Sequence, residues 1–109
     1  MRLALYGILR RGGSHHYEVR SIPGTWATGI VRGWTYQITW GPAEGYDGIT
    51  LSADGPPVEV DILDSDELDR YLSRLDDFEG PGYRRVTVAA ALADGSVVDV
   101  EIFEADPEA

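Results

Sequence analysis

Between residues 64 and 80 the apolar side chains recur at helical spacing. Leu68, Leu72 and Leu75 fall on one face of a helix turning ~100° per residue, with Tyr71 and Phe78 on its flank. Asp66, Asp69, Ser73 and Asp77 point the other way. This spacing predicts one amphipathic helix over residues 64–80. Asp64 or Ser65 is placed to be its N-cap, and Asp64 with Glu67 makes a capping-box pattern. Gly80-Pro81 stops it.

Elsewhere the pattern is that of strands. Residues 2–6 form a short apolar-rich run that predicts a buried first strand. Residues 28–39 are rich in β-branched and aromatic side chains, with Gly33 expected to bulge or bend the strand and Trp34 and Tyr36 on one face. Residues 48–52 and 58–63 predict two strands joined by a turn rich in Gly and Pro. Residues 83–92 and 96–104 predict a hairpin around Asp94-Gly95, and residues 105–109 a frayed acidic tail. One helix cannot cover both faces of a six-stranded sheet. The expected fold class is therefore α+β: a small mixed or antiparallel β-barrel of about six strands with one main flanking helix.

Composition narrows the partners. The chain has 109 residues, 43% of them hydrophobic, which is the size of a single domain over residues 1–109 with one core. Its net charge of −10 disfavours nucleic acid and anionic membrane, which need a cationic surface. There is no cysteine for disulfide or thiolate chemistry. No apolar run reaches the ~20 residues of a membrane span, and the N-terminus lacks the apolar segment of a signal peptide. The expected location is the cytoplasm.

One residue of the helix breaks its pattern. Glu79 lies about three turns past Leu68 and so returns to the leucine arc, at the negative end of the helix dipole. Both burial and dipole raise a carboxyl pKa. Glu79 either aims into the apolar face as a functional acid or turns out into water where the helix frays. The loop at residues 7–14 carries three glycines and two arginines, and its backbone amides, with Gly7 permitting close approach, can form an anion-binding concavity. It lacks the spacing and lysine of a Walker A loop. His15 and His16 are adjacent and diverge, with no third His or any Cys to complete a metal site, so they are expected as solvated loop residues. Trp26, Trp40 and Tyr46 suit either the core or a pocket wall, and an exposed tryptophan here would mark an interface.

Four blocks, in order and spanning nearly the whole chain, resemble the gamma-glutamylcyclotransferase-like (AIG2-like) proteins. Tyr6-Gly7-Ile8-Leu9-Arg10-Arg11-Gly12 is similar to Y-G-[ST]-L-R-x-G. Gly29-Ile30-Val31-Arg32-Gly33-Trp34-Thr35-Tyr36 is similar to G-x-V-x-G-x-L-Y, and Leu75-Asp76-Asp77-Phe78-Glu79-Gly80 to L-D-x-[FY]-E-G. Tyr83-Arg84-Arg85-Val86-Thr87-Val88 is similar to Y-x-R-x-x-V-x-V. The resemblance implies a small mixed β-barrel with flanking helices, a general acid/base at Glu79, and binding of a substrate's glutamyl end by the backbone of Tyr6, Gly7, Ile8 and Leu9. The implied substrate is a small γ-glutamyl amide that cyclises to 5-oxoproline and releases an amine, with no metal, cofactor or enzyme nucleophile. Ile8 stands where Ser or Thr is usual, so a hydroxyl is lost there. Residues 58–63 align with V-x-G-E-L-Y but carry Val60 for Gly, Asp61 for Glu and Leu63 for Tyr, and Phe103 stands where an aromatic, often Tyr, is usual. The alternative implied by these departures is a non-catalytic small-molecule-binding or accessory domain of the same fold.

Overall fold

The computed structural model describes residues 1–14, 16–41 and 43–105, with Ile8 and Phe78 described by backbone alone. Six strands are present: β1 (Arg2–Leu5), β2 (Thr25–Gln37), β3 (Asp47–Leu51), β4 (Pro57–Asp64), β5 (Tyr83–Leu92) and β6 (Val97–Ala105). The helix α1 spans Leu72–Glu79. Each predicted strand is found, with ends shifted by a few residues. Ala105 is the buried last residue of β6 rather than part of a frayed tail. Residues 106–109 lie outside the described residues, as do His15 and the Phe78 side chain.

The strands pair in the order β3-β2-β4-β1-β6-β5, and β5 returns to β2 at Gly29↔Leu92 and Ile30↔Ala91. Five strands thus close a barrel, with β3 as a sixth strand along β2. The β1–β6 pairing is parallel and the others antiparallel, so the barrel is mixed. Period-2 alternation divides the side chains between two cores. Ala4, Val60, Ile62, Val100 and Ile102 fill the barrel interior with Val31, Ile49 and Ala90. Their neighbours Leu3, Leu5, Leu63 and Phe103 point outward and are covered by Leu68, Leu72 and Leu75. Burial on both faces explains why β1 and the end of β4 read as nearly continuous apolar runs.

β2 continues through Gly33 without a break, and its pairing passes there from β4 (Thr25–Arg32) to β3 (Gly33–Gln37). The chain from β3 to β4 crosses the strand there. Ser52 N–H donates to the Arg32 carbonyl on one edge, and Gly33 N–H donates to the Pro56 carbonyl on the other. Gly55 rides over Gly33 so closely that a Cβ on it would lie 2.7 Å from the Gly33 backbone. Gly55 is needed for this close approach, whereas a Cβ on Gly33 would meet the Thr50 carbonyl of β3 at 2.5 Å.

The predicted helix over residues 64–80 is shorter than expected. Asp64 is held in β4 by pairing with Arg2 and Thr25, so no helix can begin there. Ser65 N–H donates to the Met1 carbonyl, and Ser65 Oγ accepts from Glu67 N–H in a local turn in place of the capping box. A single 3₁₀ turn at Leu68–Arg70 follows, and α1 starts only at Leu72. The facial pattern survives the break: Leu68, Leu72 and Leu75 are buried, and Asp66, Asp69, Ser73 and Asp77 are exposed. Leu75, 1% exposed, joins helix to barrel. Leu75→Ala is expected to destabilise the protein by about 2–5 kcal/mol, read from urea unfolding, because the rigid barrel wall cannot collapse into the gap.

Candidate active site

The last turn of α1 carries Glu79 to the rim of the barrel, and Gly80 (φ 74°) ends the helix there. Glu79 does not turn out into water. It is half-buried and lines a cavity of about 270 Å³ between the helix end, the end of β1 and the start of β3. Burial lifts its carboxyl from 4.5 to about 7. The carboxyl therefore exchanges a proton near neutral pH, which suits an acid/base role.

Tyr6 and Leu9 line the same cavity. Tyr6 follows β1, and its hydroxyl donates to the Phe103 carbonyl at 2.6 Å. Gly7 opens a 3₁₀ turn, Gly7–Leu9, with φ 63°. This turn holds the backbone of Ile8 between two residues of the site, while the Ile8 side chain lies outside the described residues. Gly7 sits between Tyr6 and Leu9 in sequence and borders the cavity without lining it. Leu9 is 5% exposed and is anchored in the outer core.

The structure adds Asp47 and Tyr83 to this site, and of the three aromatics that suited either core or pocket wall it places Tyr46 there. Tyr46, Asp47 and Tyr83 line the cavity opposite Tyr6. The Tyr83 hydroxyl donates to the Asp47 carbonyl, tying β5 to the start of β3. Burial, then the Tyr83 and Glu79 charges, pushes the Tyr6 hydroxyl well above its ordinary pKa. Burial, then Glu79 and Asp47, does the same to Tyr83. Both hydroxyls stay neutral. Asp47 carried no local signal, since it reaches the cavity only because β3 is folded beside the Gly7 turn. Trp26 and Trp40 are not in the cavity: Trp40 is exposed, and Trp26 is half-buried against the outer core.

That loop is held from behind by a buried carboxylate. Asp61, 2% exposed, accepts from Arg11 N–H at 2.8 Å and pairs with Arg11 Nη2 at 3.2 Å and Arg10 Nη2 at 3.4 Å. Burial opposes its charge, but the Arg11 amide and guanidinium and the Arg10 guanidinium outweigh this and hold the carboxyl below its usual range. Arg11 also lies 5.8 Å from the Trp26 ring centre. His16 is not a solvated residue as expected. Its Nδ1–H donates to the Leu9 carbonyl at 3.0 Å, and its ring packs on Trp26. Among the described residues no three His, Asp or Glu side chains converge in a way that would hold a metal ion. Among them, too, no helix is long and apolar enough to cross a membrane.

A small closed barrel with a protonatable carboxyl at its rim defines a class, and comparison with known proteins gives its family. The family model described as "Gamma-glutamyl cyclotransferase, AIG2-like" matches residues 3–109, and the chain belongs to that family. Solved structures share the fold. YkqA from Bacillus subtilis is 20% identical with a TM-score of 0.73, over 96% of this chain and 35% of that one. An AIG2-like protein from mouse is 24% identical with a TM-score of 0.70, over 98% and 80% of the two chains. A protein from Arabidopsis thaliana is 25% identical with a TM-score of 0.68, over 99% and 70%. The chain thus spans about a third of the length of YkqA. Among curated proteins none matches.

Two outcomes on stability follow from this electrostatic arrangement. Glu79 binds its proton more tightly when folded, so between pH ~4.5 and ~7 the folded state holds more protons and stability falls as pH rises. Glu79→Gln is therefore expected to stabilise the protein by about 2–3 kcal/mol at pH 8 and by little at pH 4, in urea unfolding at the two pH values. Asp61 has the opposite sign: its depressed pKa adds stability above the unfolded value of ~3.9 that is lost as pH falls through the folded value. Asp61→Ala, which strands the Arg11 amide, is expected to cost about 1–3 kcal/mol at pH 7 and to flatten the acid limb of the same unfolding profile.

Proposed function

We propose that this protein releases 5-oxoproline and an amine from a γ-glutamyl amide by intramolecular cyclisation. The observation that carries this reading is the Glu79 carboxyl, held near neutral pKa inside a cavity whose volume suits a glutamyl-sized group. Membership of the family supports the same chemistry.

The substrate's glutamyl end rests on the turn from Tyr6 through Gly7 and Ile8 to Leu9. The first amides of a helical turn have no partner within it and so are available to a group outside it. A backbone role of this kind does not need the hydroxyl that Ile8 lacks. The Glu79 carboxylate takes a proton from the α-ammonium, and the freed amine attacks the γ-carbonyl carbon. The carbonyl π electrons move to oxygen and a tetrahedral adduct forms. Glu79 delivers its proton to the amide nitrogen, whose bond to carbon breaks as the carbonyl re-forms. The carboxylate then takes the second proton from the ring nitrogen and passes it to the released amine. Two protons thus move from the attacking to the departing nitrogen, and Glu79 ends as it began. Because attack is intramolecular, much of the entropic barrier is already absent, and no enzyme nucleophile takes part.

The test is 5-oxoproline release from a panel of γ-glutamyl amides and dipeptides, followed by mass spectrometry. Glu79→Gln is expected to keep the fold and to lower turnover by ~10²–10⁴-fold. For the parent, kcat/KM should rise with pH through about 7, since the free enzyme must present the carboxylate. Full activity in the glutamine variant would remove the mechanism. A folded parent that releases nothing from any substrate would leave a binding domain.

A further inference from the structure

The charged side chains that line the cavity are of one sign. Among the described residues they are Asp47 and Glu79, both acids. The Tyr6 and Tyr83 hydroxyl hydrogens are committed to the carbonyls of Phe103 and Asp47, so neither hydroxyl has a hydrogen left to donate to a ligand. The side chains of this part of the wall thus complement a cation with N–H donors, while the backbone amides of the Gly7 turn remain for an anionic group.

Asp47 is the acid best placed to meet the cation. Asp47 is exposed at the cavity mouth, and among the described residues no ion pair occupies its carboxylate, a condition it shares with several surface acids that do not line the cavity. Its backbone is fixed by β3 and by the Tyr83 hydroxyl. Its Oδ2 lies directly against Gly7: a Cβ added there would sit 2.5 Å from that oxygen. Gly7 therefore does more than permit a positive φ. It leaves room for a carboxylate beside the turn that receives the glutamyl end.

We propose that Asp47 binds the α-ammonium group of the substrate, so that the cavity selects γ-glutamyl compounds whose α-amine is free and cationic. The identity of the glutamyl group rests on the cyclotransferase reading; the preference for an ammonium rests on the cavity itself. A carboxylate beside an ammonium stabilises its charged form. That strengthens binding and at the same time makes the proton harder for Glu79 to remove. Asp47 consequently acts on substrate binding more than on turnover.

The test uses γ-glutamyl methylamide and its N-acetyl derivative, which has no ammonium. Calorimetric titration into Glu79→Gln avoids turnover, and Glu79→Gln/Asp47→Asn supplies the comparison. Glu79→Gln is expected to prefer the free amine by at least about tenfold in Kd, a preference that the double variant loses. In the active chain, Asp47→Asn is expected to raise KM for 5-oxoproline release about tenfold or more and to move kcat by less than about threefold. Asp47→Glu should recover part of the preference, which a purely structural residue would not show. Equal weakening of both compounds, a preference retained in the double variant, or no binding of the free amine to Glu79→Gln would overturn the proposal. An Asp47-dependent preference in a chain that releases no 5-oxoproline would keep this assignment and remove the cyclotransferase reading instead.

Discussion

Six strands and one short helix set a problem of covered area. An eight-residue helix is ~12 Å long and ~10 Å across, whereas six strands at ~4.8 Å spacing make a sheet ~24 Å wide. Left flat, the sheet would expose most of one face and part of the other. Closing β5 onto β2 removes the inner face from water without any helix. Only the outer face of β1, the end of β4 and the end of β6 then needs cover, and Leu68, Leu72 and Leu75 supply it. Everything at the site depends on this division. The cavity lies where α1 runs out of length at the rim of the barrel.

The placement of Glu79 is a consequence of the same geometry. A carboxyl at the C-terminus of a helix, on its apolar side, is unfavourable in isolation. It persists because Leu72 and Leu75 fix the helix and Gly80 turns the chain immediately after it. The energetic cost appears as a carboxyl that holds its proton up to about pH 7. The loop facing it is stiffened differently. Asp61 is a charge that remains ionised while buried, because the Arg11 amide and two guanidiniums surround it. The Arg11 amide approaches its Oδ2 to 2.8 Å.

Much of the architecture was legible from periodicity. The six strands, the facial pattern of the helix and the need to curl all follow from local spacing, because alternation and helical recurrence record which side of an element is buried. The length of the helix was not legible. Residues 64–71 have helical spacing, but strand pairing of Asp64 and the hydrogen bond from Ser65 to Met1 are long-range contacts that override local preference. Gly33 was read as a bulge or bend in a strand, whereas the connection from β3 to β4 crosses β2 there, which spacing within one strand does not record.

For the site, the sequence by itself determined that Glu79 lies on the apolar side of a helix end and that a glycine turn follows the first strand. Those are local facts, fixed by residue order. Only the tertiary structure decided that the two share one cavity, that the hydroxyls of Tyr6 and Tyr83 are spent on backbone carbonyls, and that Asp47 stands against Gly7. These groups come from β1, β3, the end of α1 and β5, and no spacing along the chain relates them. They meet because barrel closure brings the ends of separate strands to one rim, where burial then sets the protonation of the carboxyl between them.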